Sequence, residues 1–205
     1  MLRLSLKQMK ARIEELQGAI NQVHRTMSRI SCGAAAHDAA RYDFRTDTIL
    51  REALDYWRRK RCERAMPQRR DIDPAELPFR LLPHLQLTDV IGGGRRFRYR
   101  LVGTAIVGAF GAEFTGKHVD ELPSGDRTEF AHTFYDTVCD AKRPVFARSS
   151  YTSTKGVFRT ANRLLLPLSE DGREVSTIAG AVTFESGQPS PHAADRPASY
   201  LEILS

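Results

Sequence analysis

"FRYRLVGTAIVGAFGAEFTGK", residues 97–117, runs an alternating strand into glycines at 103, 108, 111 and 116. Phe97, Tyr99 and Leu101 take one parity and Arg98 and Arg100 the other, so the segment predicts a strand with an apolar inner face. Glycines after a strand can cradle a phosphate, which raises the question of a nucleotide site. The stretch holds neither GxGxxG nor GxxxxGK[ST]. Its glycines also precede short, broken helical pieces over 104–123, not one long helix whose N-terminus could hold an anion.

Period two extends to either side. Residues 84–91 (HLQLTDVI) alternate, GGG at 92–94 makes a turn, and 95–103 alternate again, predicting an antiparallel hairpin. Residues 126–141 predict a helix with Phe130, Phe134 and Val138 along one side. Three more strands are expected at 144–152, 159–169 and 174–185, with Asp-Gly in "EDGRE" (170–174) turning between the last two. Upstream, a helix begins near Asp47 or Thr48, either of which can cap it. Ile49, Leu50, Ala53, Leu54, Trp57 and Cys62 form its apolar side, Arg58, Arg59, Lys60 and Arg64 its basic side, and Pro67 ends it. "DPAE" at 73–76 starts a further turn, with Asp73 as cap and Pro74 behind it.

The chain of 205 residues, 41% hydrophobic and 27% charged, suits one globular domain with appendages. No apolar run is long enough to span a bilayer, and the N-terminus has no signal-peptide core. Three widely spaced cysteines without CxxC point away from a disulfide framework and from zinc, and a cytoplasmic location is expected. The net charge of +6 is concentrated: residues 1–30 carry +4 and residues 51–70 carry +5, leaving −3 for the rest. Basic segments of this kind fit either a solvated helix face or an anionic partner, nucleic acid included.

Residues 2–30 keep a four-three spacing throughout: Leu2, Leu6, Met9, Ile13, Leu16, Ile20, Val23, Met27 and Ile30. So narrow a seam predicts a coiled coil and hence a homodimer, with Leu6, Met9, Ile13, Leu16, Ile20, Val23 and Met27 in the interface. The alternative is an amphipathic helix docked on its own domain. Residues 31–47 read as a linker, 48–185 as the domain, and 186–205, rich in Pro and Ser, as a flexible tail.

The order strand–strand–helices–strand–strand–strand resembles a PAS domain. "RDIDPAELPFRLLPHLQLTDV" (70–90), the 97–117 stretch and "RPVFARSSY" (143–151) resemble segments of the stand-alone PAS proteins of alphaproteobacteria. The densest match is F-R-Y-R-L-V-G-T followed by F-G-x-[DE]-x-T-G, where Glu113 stands in place of the more usual Asp. The resemblance implies an α+β fold: a five-stranded antiparallel sheet in the order 2-1-5-4-3, helices on one face. In that fold the glycines 108, 111 and 116 let the chain reverse over the sheet, making a pocket wall. Ile106, Phe110, Phe114 and Phe134 then face Tyr99, Leu101, Ser149, Tyr151, Leu164 and Leu166. The space between them is either a ligand-sized apolar cavity or is filled by its own rings. Asn162 is expected to border it too, and Arg159 and Arg163 to face outward.

No catalytic constellation accompanies this fold: GxSxG, HExxH and paired-cysteine spacings are missing from the sequence. His118 and His132 are the histidines in the region where such a fold holds heme, but His132 falls two residues from Phe130, on the solvated side of its helix. Cys139 reads as a structural thiol. The sequence therefore predicts a non-enzymatic sensory or interaction module with no cofactor, signalling through its dimer or an unknown protein partner. With no room evident for an output domain, the signal is expected to leave by protein contact. The rival reading is a nucleic-acid-binding regulator that uses residues 51–70.

Overall fold

The period-two segments assemble into one antiparallel sheet. In this computed structural model, which describes residues 42–92, 96–122, 126–152, 157–186 and 199–204, the strands are β1 (Leu85–Ile91), β2 (Arg96–Val102), β3 (Val145–Thr152), β4 (Phe158–Leu168), β5 (Thr177–Ser186) and β6 (Ser199–Ile203). Their order is β2-β1-β5-β4-β3-β6. The expected order 2-1-5-4-3 stands, and the strand count is corrected from five to six. Ser199–Ile203, read as tail, pairs with the free edge of β3 from Val145↔Ile203 to Ser149↔Ser199. Tyr200 and Leu201 pack on the core and Leu204 is buried. The heptads of 2–30 lie outside the described residues, in a unit (Met1–Arg41) separate from Tyr42–Ser205.

Three α-helices complete the described unit: α1 (Thr48–Arg61), α2 (Thr104–Phe110) and α3 (Asp126–Ala141). Asp47 caps α1, its Oδ1 accepting from the amides of Ile49 (2.9 Å) and Leu50 (3.2 Å). Its other oxygen accepts from the Tyr42 hydroxyl (2.8 Å) and from Thr183 Oγ1 on β5 (2.6 Å). One carboxylate thus starts the helix and ties it to the sheet. Leu50, Ala53, Leu54 and Trp57 are buried, and the Trp57 indole N–H donates to the Pro167 carbonyl (2.8 Å). Each large side chain so buried contributes roughly 1.5–3 kcal/mol. Cys62, read as part of that apolar side, is exposed; the helix has ended at Arg61 and Cys62 turns with φ of 52°.

Residues 42–47 end the expected linker early. Tyr42 and Phe44 stack on Phe146, with ring centroids 5.8 and 5.1 Å away. Asp73 caps the short turn Pro74–Glu76 as expected, accepting from Ala75 N–H (2.9 Å).

Of the three glycines assigned to the chain reversal, two are needed there. Gly111 ends α2 at φ +76° and Gly116 turns at φ +84°, the left-handed region that glycine enters without a steric cost. Gly108 sits inside α2 with nothing near its missing side chain, so the reversal does not depend on it. After Gly111 the chain runs back along β2: Tyr99 N–H donates to Lys117 O (3.0 Å) and Gly116 N–H to Tyr99 O (2.6 Å). That pairing occupies an edge which would otherwise offer free backbone groups.

Candidate functional site

Both faces of the sheet are covered, so parity along each strand decides which side chain meets which helix. On β4, Arg163 lies under Phe110 of α2 and Phe134 of α3, its guanidinium carbon 5.9 Å from each ring centroid. Alternation puts Ala161 and Leu165 on the same face and sends Leu164 and Leu166 to the other. The α2/α3 face gathers Tyr99, Ser149, Tyr151, Ile106, Phe110, Phe114 and Phe134, seven of the ten expected site residues.

The other three are not there. Leu166 lines an apolar cleft on the α1 side, with Ala53, Tyr56, Trp57, Leu85 and Leu87 around it. Leu101, 43% exposed, stands at that same cleft, whose volume is about 170 Å³. Leu164 is fully buried and pairs with Phe146, whose ring meets Tyr42 and Phe44. The expectation failed because the run LLLPL (164–168) is apolar at both parities, as in a strand buried on both faces. Asn162 is likewise on the α1 side, bonded to Arg148 (3.1 Å) and Glu185 (2.6 Å).

The aromatic part of the α2/α3 face is closely packed. Phe110 stacks on Tyr151 with centroids 4.6 Å apart, and meets Phe114 and Phe184 edge-on at 5.7 Å each. The Tyr151 hydroxyl donates to the Ala109 carbonyl on α2 (3.3 Å). Edge-on and offset ring pairs of this kind add about 0.5–1.5 kcal/mol each to the area they bury.

Beside the rings runs a chain of polar groups that the sequence did not announce. Gln86 Nε2 donates to the Tyr135 hydroxyl (2.8 Å), which donates to the Tyr99 hydroxyl (3.1 Å). Gly180 makes this possible: a Cβ there would lie 2.6 Å from Gln86 Cγ. Burial, reinforced by Tyr135, holds the Tyr99 phenol well above its ordinary pKa, so it stays a neutral donor. Thr88, which pairs with Tyr99 across β1 and β2, is fully buried, and its Oγ1 has no hydrogen-bond partner. Arg163, expected to face water, donates from Nη1 to Ser149 Oγ (2.7 Å). Its one available signal was position: a charged residue flanked at i±2 by Ala161 and Leu165.

A model of the PAS domain family matches residues 45–183, which is more than half of the chain. The chain is a PAS-domain protein. The match spans α1 through β5, and the interior between the sheet and α2/α3 is the inside of that PAS domain. The structure of VqmA bound to DPO is similar to this chain over 54% of each, at 11% identity and a TM-score of 0.42. The RsLOV d2 variant matches over 53% of this chain and 61% of its own (16% identity, TM-score 0.37), and a fungal LOV-domain photoreceptor over 55% and 79% (16%, 0.35). The PAS chain described here therefore spans about half the length of VqmA. No curated protein matches it significantly.

Among the described residues no cluster of three or more His, Cys, Asp or Glu side chains could hold a metal. His132, placed by its spacing on the solvated side of α3, is instead half-buried with its ring 5.7 Å from Phe97. Among the described residues no helix is long and apolar enough to cross a membrane.

Proposed function

We propose that this PAS protein is a cytoplasmic, non-enzymatic sensor that holds a small molecule between its sheet and α2/α3 and signals through protein contact. The observation that carries the reading is the polar set inside that interior. Tyr99, Tyr135 and Gln86 are linked in one chain, and Thr88 Oγ1 is buried without a partner beside them. A few fixed polar groups set among aromatic side chains are the kind of lining that small-molecule sites carry. An unpaired buried hydroxyl costs about 1–3 kcal/mol unless a ligand satisfies it.

The finer parts of the reading are its membership of the stand-alone alphaproteobacterial PAS family and pairing of two chains through the 2–30 heptads. A second protein would receive the signal. Native mass spectrometry of the purified full chain tests the core of it: a co-purified small molecule is expected, displaced by unfolding. A bare protein whose melting temperature no member of a broad metabolite panel raises would leave a pure interaction module.

One observation favours the nucleic-acid reading: Arg51, Arg59 and Arg61 stand exposed on α1. Binding whose log K falls steeply with log salt in a gel-shift titration would support it. A flat salt response would end it.

A further inference from the structure

Resting on that sensor reading, we infer that the ligand is a small organic carboxylate, and that Arg163 is the residue that receives it. Arg163 sits on β4, one of the inner strands, with its backbone paired on both sides. By accessible area the residue is half-buried. Its backbone is sealed in the sheet, so the accessible part belongs to the side chain. Its neighbours on that face are small: Ala147 opposite on β3, Ala161 two residues back on β4, and Ser149 diagonally across.

No charge among the described residues balances it. Its hydrogen bonds among the described residues run from Nη1 alone, to Ser149 Oγ (2.7 Å) and the Ala161 carbonyl (3.4 Å), both neutral acceptors. Phe110 and Phe134 flank it, and the titratable groups it couples to are the phenols of Tyr135, Tyr99 and Tyr151 and not carboxylates. Among the described residues no carboxylate stands within ion-pair reach. A guanidinium cannot shed its proton, so it remains a cation with no counter-ion among the described residues. Such a group is costly to keep for stability alone, since an apolar side chain of similar volume serves a core as well or better. A planar two-nitrogen fork matches a carboxylate, and the rings of Phe110 and Phe134 would take the ligand's apolar body.

The test is calorimetry and thermal melting of the full chain with benzoate, phenylacetate and hexanoate, each beside its own amide. An acid and its amide have nearly one shape and differ in charge. At least one acid is expected to bind about tenfold or more tightly than its amide. Arg163→Met should abolish that preference while melting no lower than the parent. Equal affinity for acid and amide, or an acid preference that survives Arg163→Met, would overturn the inference. So would the failure of every acid to bind. Amides that bind the parent and Arg163→Met alike would overturn it while leaving the sensor reading intact. Should Arg163→Met not fold, Arg163→Lys keeps the charge and loses the fork: weakening of the acid by about tenfold is expected, and unchanged affinity refutes the assignment.

Discussion

Gly180→Ala places a methyl group where the α2/α3 interior has no room for one. The new Cβ would stand 2.6 Å from Gln86 Cγ and 3.0 Å from both its Cδ and its Nε2. Backbone pairing holds Gly180 between Gln86 on β1 and Leu165 on β4, so the strand cannot retreat. Gln86 must therefore swing away, and its bond to the Tyr135 hydroxyl goes with it. Overpacking costs about 1–3 kcal/mol and the lost hydrogen bond about 1 more, giving roughly 2–4 kcal/mol of destabilisation. For a domain of this size that is a fall of roughly 4–16 °C in melting temperature. A double-mutant cycle isolates the cause. With Gln86→Ala in place the methyl has somewhere to go, so Gly180→Ala should then cost at least about 1 kcal/mol less. Urea unfolding followed by circular dichroism measures all four chains. Additive losses, or a single-mutant cost under about 0.5 kcal/mol, would show that Gln86 is not fixed as described.

Asp47→Ala removes a cap and two hydroxyl partners together, and should lower stability by about 2–3 kcal/mol in the same assay. Trp57→Phe keeps the packing but strands the buried Pro167 carbonyl, at a cost of about 1–3 kcal/mol in a thermal melt. Asp171 accepts from the amides of Glu174 and Arg173 and from the Ser169 hydroxyl, which lowers its pKa from 3.8 to about 2. Its folded value is the depressed one, so its stabilising effect is present above pH 4 and fades as the pH falls through about 2. Asp171→Asn should flatten the parent's stability–pH slope in that acid window, and an unchanged slope would assign it to other groups. Leu16→Asp with Ile20→Asp should convert the expected dimer to monomer in light scattering; a persisting dimer places its interface elsewhere.

How far the sequence could be read depended on how local each signal was. β1, β2 and α3 each follow from a period inside one segment, with turn residues beside them, and their bounds fall within a residue of expectation. The strand order needed the family resemblance, because nothing in one segment names its neighbours. β6 escaped because five residues after a Pro- and Ser-rich run carry too weak a pattern; what makes them a strand is the vacant edge of β3. The site divided in the same way. Aromatic residues around 97–114 declared themselves by spacing, whereas the choice between Arg163 and Leu164 as the inward residue turned on one residue of register. Tyr135, Gln86 and Thr88 gave no signal of their own, since a hydrogen-bonded chain across β1, β2 and α3 exists only once those elements meet.

Phe146 receives both ends of the described unit. Tyr42 and Phe44 stack on it from the start, and Tyr200 leans on it from β6 at 6.2 Å. Where one cuts the chain therefore matters more than the repeating pattern suggests. A protein ended at residue 185, where the last expected strand stops, would still contain the whole family match. It would also bare the backbone of β3 from Val145 to Ser149 and uncover one side of a phenylalanine that is otherwise 2% exposed. An open strand edge beside an uncovered ring is a template for joining other copies side by side. The trimmed protein should clump at concentrations where the full chain stays in solution. β6 is then expected to guard the β3 edge against self-association.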